Sequence, residues 1–141
     1  MKITQSEIGV RTSKSFELVD ITAEVQRAVS GSGVADGIAL ICSPHTTAAI
    51  RVNEKEERLH EDMERFLAGL ADRRASYRHD AQTVDDRPNA WAHLMTLLMG
   101  SSAAVPVHAG RLELGGWQAV FFVELDGPRQ GRKALVKIMG E

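Results

Sequence analysis

The sequence predicts an α+β domain, and three observations carry that prediction. Short β-branched or apolar runs of strand length gather near both ends of the chain. Helix-period patterns fall in blocks between them, without the strict strand–helix alternation of a doubly wound sheet. Turn signals at Ala109-Gly110, Gly115-Gly116 and Asp126-Gly127-Pro128 divide the final third into strands. The chain has 141 residues, which suits a single domain over 1–141 large enough to bury a core without disulfides or a structural metal.

Taken in order, residues 2–10 and 14–19 alternate and read as two strands. Thr22 can cap a helix running to Ser30, with Gly31 just beyond its end. Residues 37–43 are an unbroken apolar run and are expected to be a strand buried on both faces; 47–52 follow as a strand after Pro44. A helix over 54–70 is predicted by Leu59, Met63, Phe66, Leu67 and Leu70, spaced by three and four. Residues 71–88 are polar and read as a long loop. Asn89 can cap a second helix over 90–98 that Gly100 ends. Residues 103–108, 111–114, 117–125 and 133–139 complete the strands.

Several function classes lose support at once. The net charge is -2, and the basic residues are scattered, which argues against a nucleic-acid binder. No window approaches a membrane span, and the first residues lack a signal-peptide core, so no membrane partner and a cytoplasmic location are expected. Cys42 is the sole cysteine, so no intrachain disulfide forms, and its place at the end of an apolar run reads as core packing. Gly31-Ser32-Gly33 is no dinucleotide loop, because Asp36 stands where the third glycine belongs. His60-Glu61-Asp62-Met63-Glu64 lacks the second histidine of a zinc-protease helix, and His60 reads as a solvated helix residue.

Three histidines remain. His45 lies at the break between two strands, His79 in the long polar loop, and His93 on the apolar second helix. They share no local spacing rule, and a histidine on an apolar helix is more often a core residue than a ligand. If they converge, three neutral imidazoles can bind zinc and leave a position open for water or substrate. Asn53, Glu54 and Asp80 are candidates for acid–base or orienting roles; Glu54 equally suits a first helical turn, and Asp80 equally suits orienting His79 or loop solvation. Arg129 and Arg132 flank a turn and can bind a phosphate or simply be solvated.

These residues carry a resemblance. Pro44-His45-Thr46-Thr47-Ala48 with Asn53-Glu54, then Tyr77-Arg78-His79-Asp80, then Asn89-Ala90-Trp91-Ala92-His93-Leu94 with Gly100-Ser101, then the block from Gly110 to Gln118 and Asp126-Gly127-Pro128-Arg129, are similar in order to the YjbQ-like family, also called secondary thiamine-phosphate synthases. The resemblance implies two packed sheets with flanking helices, a homotrimer, and a zinc pocket built from His45, His79 and His93. It also implies a site contributed by Ser101, Trp117, Gln118, Arg129 and Arg132, and coupling of an aminopyrimidine diphosphate to a thiazole phosphate. Two positions depart from the family pattern: Gly116 stands where a threonine is usual, and Arg129 and Arg132 are spaced more loosely.

The expected function is thus an enzyme on a small phosphorylated metabolite, with thiamine phosphate synthesis as the named reaction and Glu54 as acid–base group. A metal-dependent hydrolase and a non-catalytic trimeric metal or ligand sensor remain the alternatives.

Overall fold

The computed structural model describes residues 1–141. Its elements are β1 (Lys2–Val10), β2 (Glu17–Asp20), α1 (Thr22–Ser32), β3 (Gly37–Cys42), β4 (Ala48–Glu54), α2 (Glu57–Leu70), α3 (Arg78–Ala81), α4 (Ala90–Met99), β5 (Ser102–His108), β6 (Arg111–Leu112), β7 (Gln118–Glu124) and β8 (Arg132–Gly140). They build two sheets: five strands in the order β1-β8-β3-β5-β6, and three in the order β2-β7-β4. Every pairing is antiparallel. The predicted α+β class and its two packed sheets are present.

Strand parity explains the layers. Ala39, Ile41, Val136 and Ile138 of the larger sheet meet Ala48, Ile50, Val120 and Phe122 of the smaller one, with Val25 and Val29 of α1 in the same cluster. The opposite face of the three-stranded sheet carries Ala49, Ala119, Phe121 and Val123, covered by Leu67 of α2 and by Trp91, Ala92 and Met95 of α4. Successive side chains of a strand point to opposite faces. β7 is therefore apolar without a break over 119–123 because both of its faces are covered. No helix is long and apolar enough to cross a membrane.

Several expectations need correction. The strand expected at 14–19 starts only at Glu17, whose carboxylate accepts the backbone N–H groups of Ser13 and Lys14 and bends the preceding segment. Helix α1 runs on to Ser32, and Gly33, at φ 68, ends it in place of Gly31. Thr22 is its first residue rather than its cap, since its hydroxyl is committed to Asp20 and to the Val120 N–H. β3 is buried on one face only, leaving Ile38 47% exposed and Cys42 half-buried at its end. α2 begins three residues late because the Glu56 carboxylate caps it, accepting from Arg58 and Leu59. Of its apolar stripe only Leu67 is buried, while Phe66 and Leu70 stay open. The polar stretch after α2 contains α3.

Candidate functional site

The segment 43–47 carries the chain from β3 in one sheet to β4 in the other, so His45 sits where the two sheets diverge. A cleft of about 430 Å³ opens there, lined by His45, Thr47, His79, His93, Arg129 and Arg132 among its mainly polar residues. The three histidines line one cleft, as expected, but they do not form one cluster. His79 and His93 stand edge to face with ring centroids 4.9 Å apart. His45 instead packs edge-on against Phe122. No group of three His, Cys, Asp or Glu side chains is gathered closely enough to hold a metal ion.

Hydrogen bonds set the state of two of the rings. His45 Nε2 accepts the Lys133 backbone N–H at 3.0 Å, which leaves the ring proton on Nδ1. Burial, and next the nearby Arg132 guanidinium, hold its pKa below the usual imidazole value, so the ring is neutral at pH 7. For His79 the chain of partners is longer. Asp126 Oδ2 accepts from Asn89 Nδ2 at 2.9 Å, so Asn89 Oδ1 is the acceptor for His79 Nε2 at 3.0 Å. A His79 proton is thereby placed on Nε2, so that the neutral tautomer carries its lone pair on Nδ1.

Both arginines are anchored by carboxylates from the end of β7. Arg132, 7% exposed in its side chain, donates from Nε and Nη2 to the two oxygens of fully buried Glu124 at 2.8 and 2.6 Å. Its Nη2 also donates to Thr47 Oγ1. Arg129 donates through Nη2 to Asp126 Oδ2 at 2.6 Å and through Nε to the Asp126 backbone carbonyl at 3.1 Å. In each guanidinium Nη1 has no partner in the chain. Burial alone would push both carboxyls up, but hydrogen bonds from Arg132 to Glu124, and from Asn89 and Arg129 to Asp126, outweigh it and hold both below the ordinary carboxylate range.

The remaining predicted residues lie elsewhere. Asp80 neither orients His79 nor floats free, because its Oδ1 accepts the Ala90 N–H at 2.9 Å and so caps α4, the task expected of Asn89. Asn53 and Glu54 close β4 at its far end, where Glu54 pairs with Gln118. The seven-residue extended strand from Ala48 to Glu54 puts them roughly 20 Å from the cleft. Trp117, 80% exposed, and Gln118, whose side chain accepts the Gly115 N–H, share that far end. Within one chain these four residues do not reach the histidines. Ser101 holds Ser43 through its carbonyl but does not line the cleft. His60 is not solvated either: its Nε2 bonds the Glu54 carbonyl and its ring meets Phe121 edge-on.

The largest cavity, about 500 Å³, lies between β2 and α2 around Glu17, Asp20, Lys55, Glu57 and His60. Its lining is mainly acidic and brings no arginine to bear on an anionic ligand, so the smaller cleft is the better candidate for a phosphate. Sequence reasoning missed Glu124, Asn89 and Asp126 as the anchors of that cleft. A lone carboxylate inside the apolar run 119–125 was the available signal for Glu124.

Comparison with known proteins places these features in a group. The model of the family described as "UPF0047 protein YjbQ-like" matches residues 6–141. A UPF0047 protein of Methanothermobacter thermautotrophicus is 43% identical over 141 residues, covering 100% of this chain and 95% of its own. The UPF0047 protein YugU of Bacillus subtilis is 37% identical over 133 residues, covering 94% and 97%. Among solved structures, a YbjQ-like protein of unknown function from Sulfolobus solfataricus superposes with a TM-score of 0.93 at 43% identity over 99% of each chain. An uncharacterised protein of the same family from Clostridium acetobutylicum gives 0.87 at 38%, covering 95% and 99%.

Proposed function

We propose that this chain, which belongs to the UPF0047 YjbQ-like family, is an enzyme acting on a small phosphorylated metabolite in the cleft between its two sheets. One observation supports the reading above others. Two guanidinium groups, each held by a carboxylate and each with Nη1 unpartnered, line the same polar cleft as an imidazole pair. Anchored guanidinium groups lose little freedom on binding phosphate oxygens. His45, kept neutral, adds an Nδ1–H donor that costs no extra charge. His79, with its proton tied to Asn89, offers Nδ1 as the proton acceptor.

The reaction placed first is formation of thiamine phosphate, in which the two arginines would neutralise the leaving pyrophosphate. Zinc belongs to the proposal in a limited form. It would need His79 Nδ1 and the His93 ring as ligands and His45 to release the Lys133 N–H, and His79 Nδ1 would then no longer be free to accept a proton. When bound, the ion would polarise a phosphoryl oxygen. Assembly as a homotrimer is proposed as well, and exposed Leu97, Leu98 and Trp117 supply apolar surface for it. The accessible lone pair of His79 suits activation of water equally, which makes phosphoester hydrolysis the second reading.

The test is growth without thiamine in cells lacking their dedicated thiamine-phosphate synthase. The wild-type chain is expected to restore growth, and Arg129→Ala and His79→Ala are expected to abolish the rescue. Failure of well-expressed, folded wild type would remove the coupling reaction. Turnover of a phosphoester panel by the same protein would then establish hydrolysis in its place.

A further inference from the structure

We propose that a second, separate site binds a small carboxylate at the N-terminal end of α4, in a chamber roofed by Arg73. The chamber is a cavity of about 140 Å³ whose walls include Ser15, Arg73, Asn89, Trp91 and Asp126. It shares only Asn89 with the cleft that holds the histidines, so the inference does not depend on the phosphate reading. One atom points to a ligand. Trp91 is 5% exposed, and its Nε1 is the one fully buried side-chain nitrogen or oxygen in the chain with no hydrogen-bond partner. Such a donor calls for an acceptor from outside the chain.

The surrounding charges select an anion. Arg73, Arg87 and Arg129 face the carboxylates of Glu64 and Asp126, which leaves one positive charge over. Asp126 is already satisfied by Asn89, Arg87 and Arg129. The first turn of α4 adds the partial positive charge of a helix N-terminus. Arg73 is loosely held. Its guanidinium carbon lies 4.0 Å from the centre of the Trp91 ring, Nη1 donates to Ser15 Oγ at 3.3 Å, and Nη2 is 3.6 Å from Glu64 Oε1. Both polar contacts are long, so the guanidinium can turn its fork to a better acceptor while staying on the Trp91 face. Size and donor set narrow the class. The fork matches the two coplanar oxygens of a carboxylate, whose remaining lone pairs suit the indole N–H and the Ser15 hydroxyl. About 140 Å³ takes a ligand of a few heavy atoms. A dianionic phosphate would bring a second negative charge beside Asp126 and Glu64 that nothing there offsets.

The indole N–H itself reports the outcome. The chain has two tryptophans, so nitrogen-15-labelled protein gives two indole signals, and Trp117→Phe assigns the one from Trp91. Sodium acetate is titrated into the full chain, with sodium chloride holding the ionic strength constant. The Trp91 signal is expected to move downfield and saturate while the Trp117 signal stays in place. Arg73→Gln, in protein that melts like the wild type, should weaken acetate binding at least about tenfold. The absence of a saturable shift with acetate, a shift that Arg73→Gln leaves unaltered, or a response of the Trp91 signal to inorganic phosphate at lower concentration than to acetate would each overturn the carboxylate site. Any of these results would leave the reaction proposed for the cleft standing.

Discussion

Replacing Glu124 by alanine should be among the most damaging single substitutions in the molecule. Glu124 is fully buried, and its two oxygens accept from Arg132 Nε and Nη2, from the Thr12 hydroxyl, and from the backbone N–H groups of Leu125 and Asp126. Truncation strands the Arg132 charge in a site only 7% exposed. Breaking a buried pair from one side costs about 3–5 kcal/mol, against about 5–15 kcal/mol for a whole domain. In a chain of this length the melting temperature should fall by roughly 10–15 °C. Urea denaturation of Glu124→Ala, with an unchanged slope, measures the loss. A companion variant isolates the cause: Glu124→Leu with Arg132→Met removes both charges and should recover most of the stability. The reasoning fails if the single variant loses less than about 1 kcal/mol, or if the double variant is as unstable as the single.

Two further expectations follow from the same geometry. Acid stability should fall in two stages. His45 is held below the usual imidazole value, so the unfolded ring binds a proton first, and stability declines as pH falls below about 6.5. Glu124 and Asp126 are held low, so their contribution is complete above about pH 5 and is lost as pH falls further. Urea midpoints from pH 8 to pH 3 would show both stages, and a His45→Gln variant should lack the upper one; an unchanged upper stage would count against the assignment. The glycines should divide sharply. A Cβ at Gly37 would meet the Met139 carbonyl oxygen at 2.0 Å, so Gly37→Ala should cost about 1–3 kcal/mol or more. A Cβ at Gly116 meets nothing within 4 Å, so Gly116→Thr should stay within about 0.5 kcal/mol in a thermal melt.

What could be read from the sequence follows the range of each signal. β7 was legible as an unbroken apolar run of strand length, and β8 by its alternation. The bounds of α4 and the end of α2 fell where expected, but the start of α2 and the residue that caps α4 did not, because Glu56 and Asp80 cap through partners that propensity does not single out. The candidate site was legible as a list of residue types and illegible as a place. His45, His79 and His93 do line one cleft, whereas Asn53, Glu54, Trp117 and Gln118 go to the other end of the same strands. Only the antiparallel register decides that Ala48 pairs with Glu124 and Glu54 with Gln118. The fate of Arg132 was hidden for a similar reason, since its partner Glu124 lies in the other sheet.

The position of β8 has a consequence for how the chain is made. β8 lies between β1 and β3, so during synthesis both earlier strands wait without their shared neighbour until residues 132–140 leave the ribosome. Pairings this distant in sequence form late and slowly. The same strand opens with Arg132 and with the Lys133 N–H that sets the His45 proton. A nascent chain halted before β8 would therefore expose open sheet edges and also lack a competent cleft. The candidate cleft and the completed five-stranded sheet therefore form together.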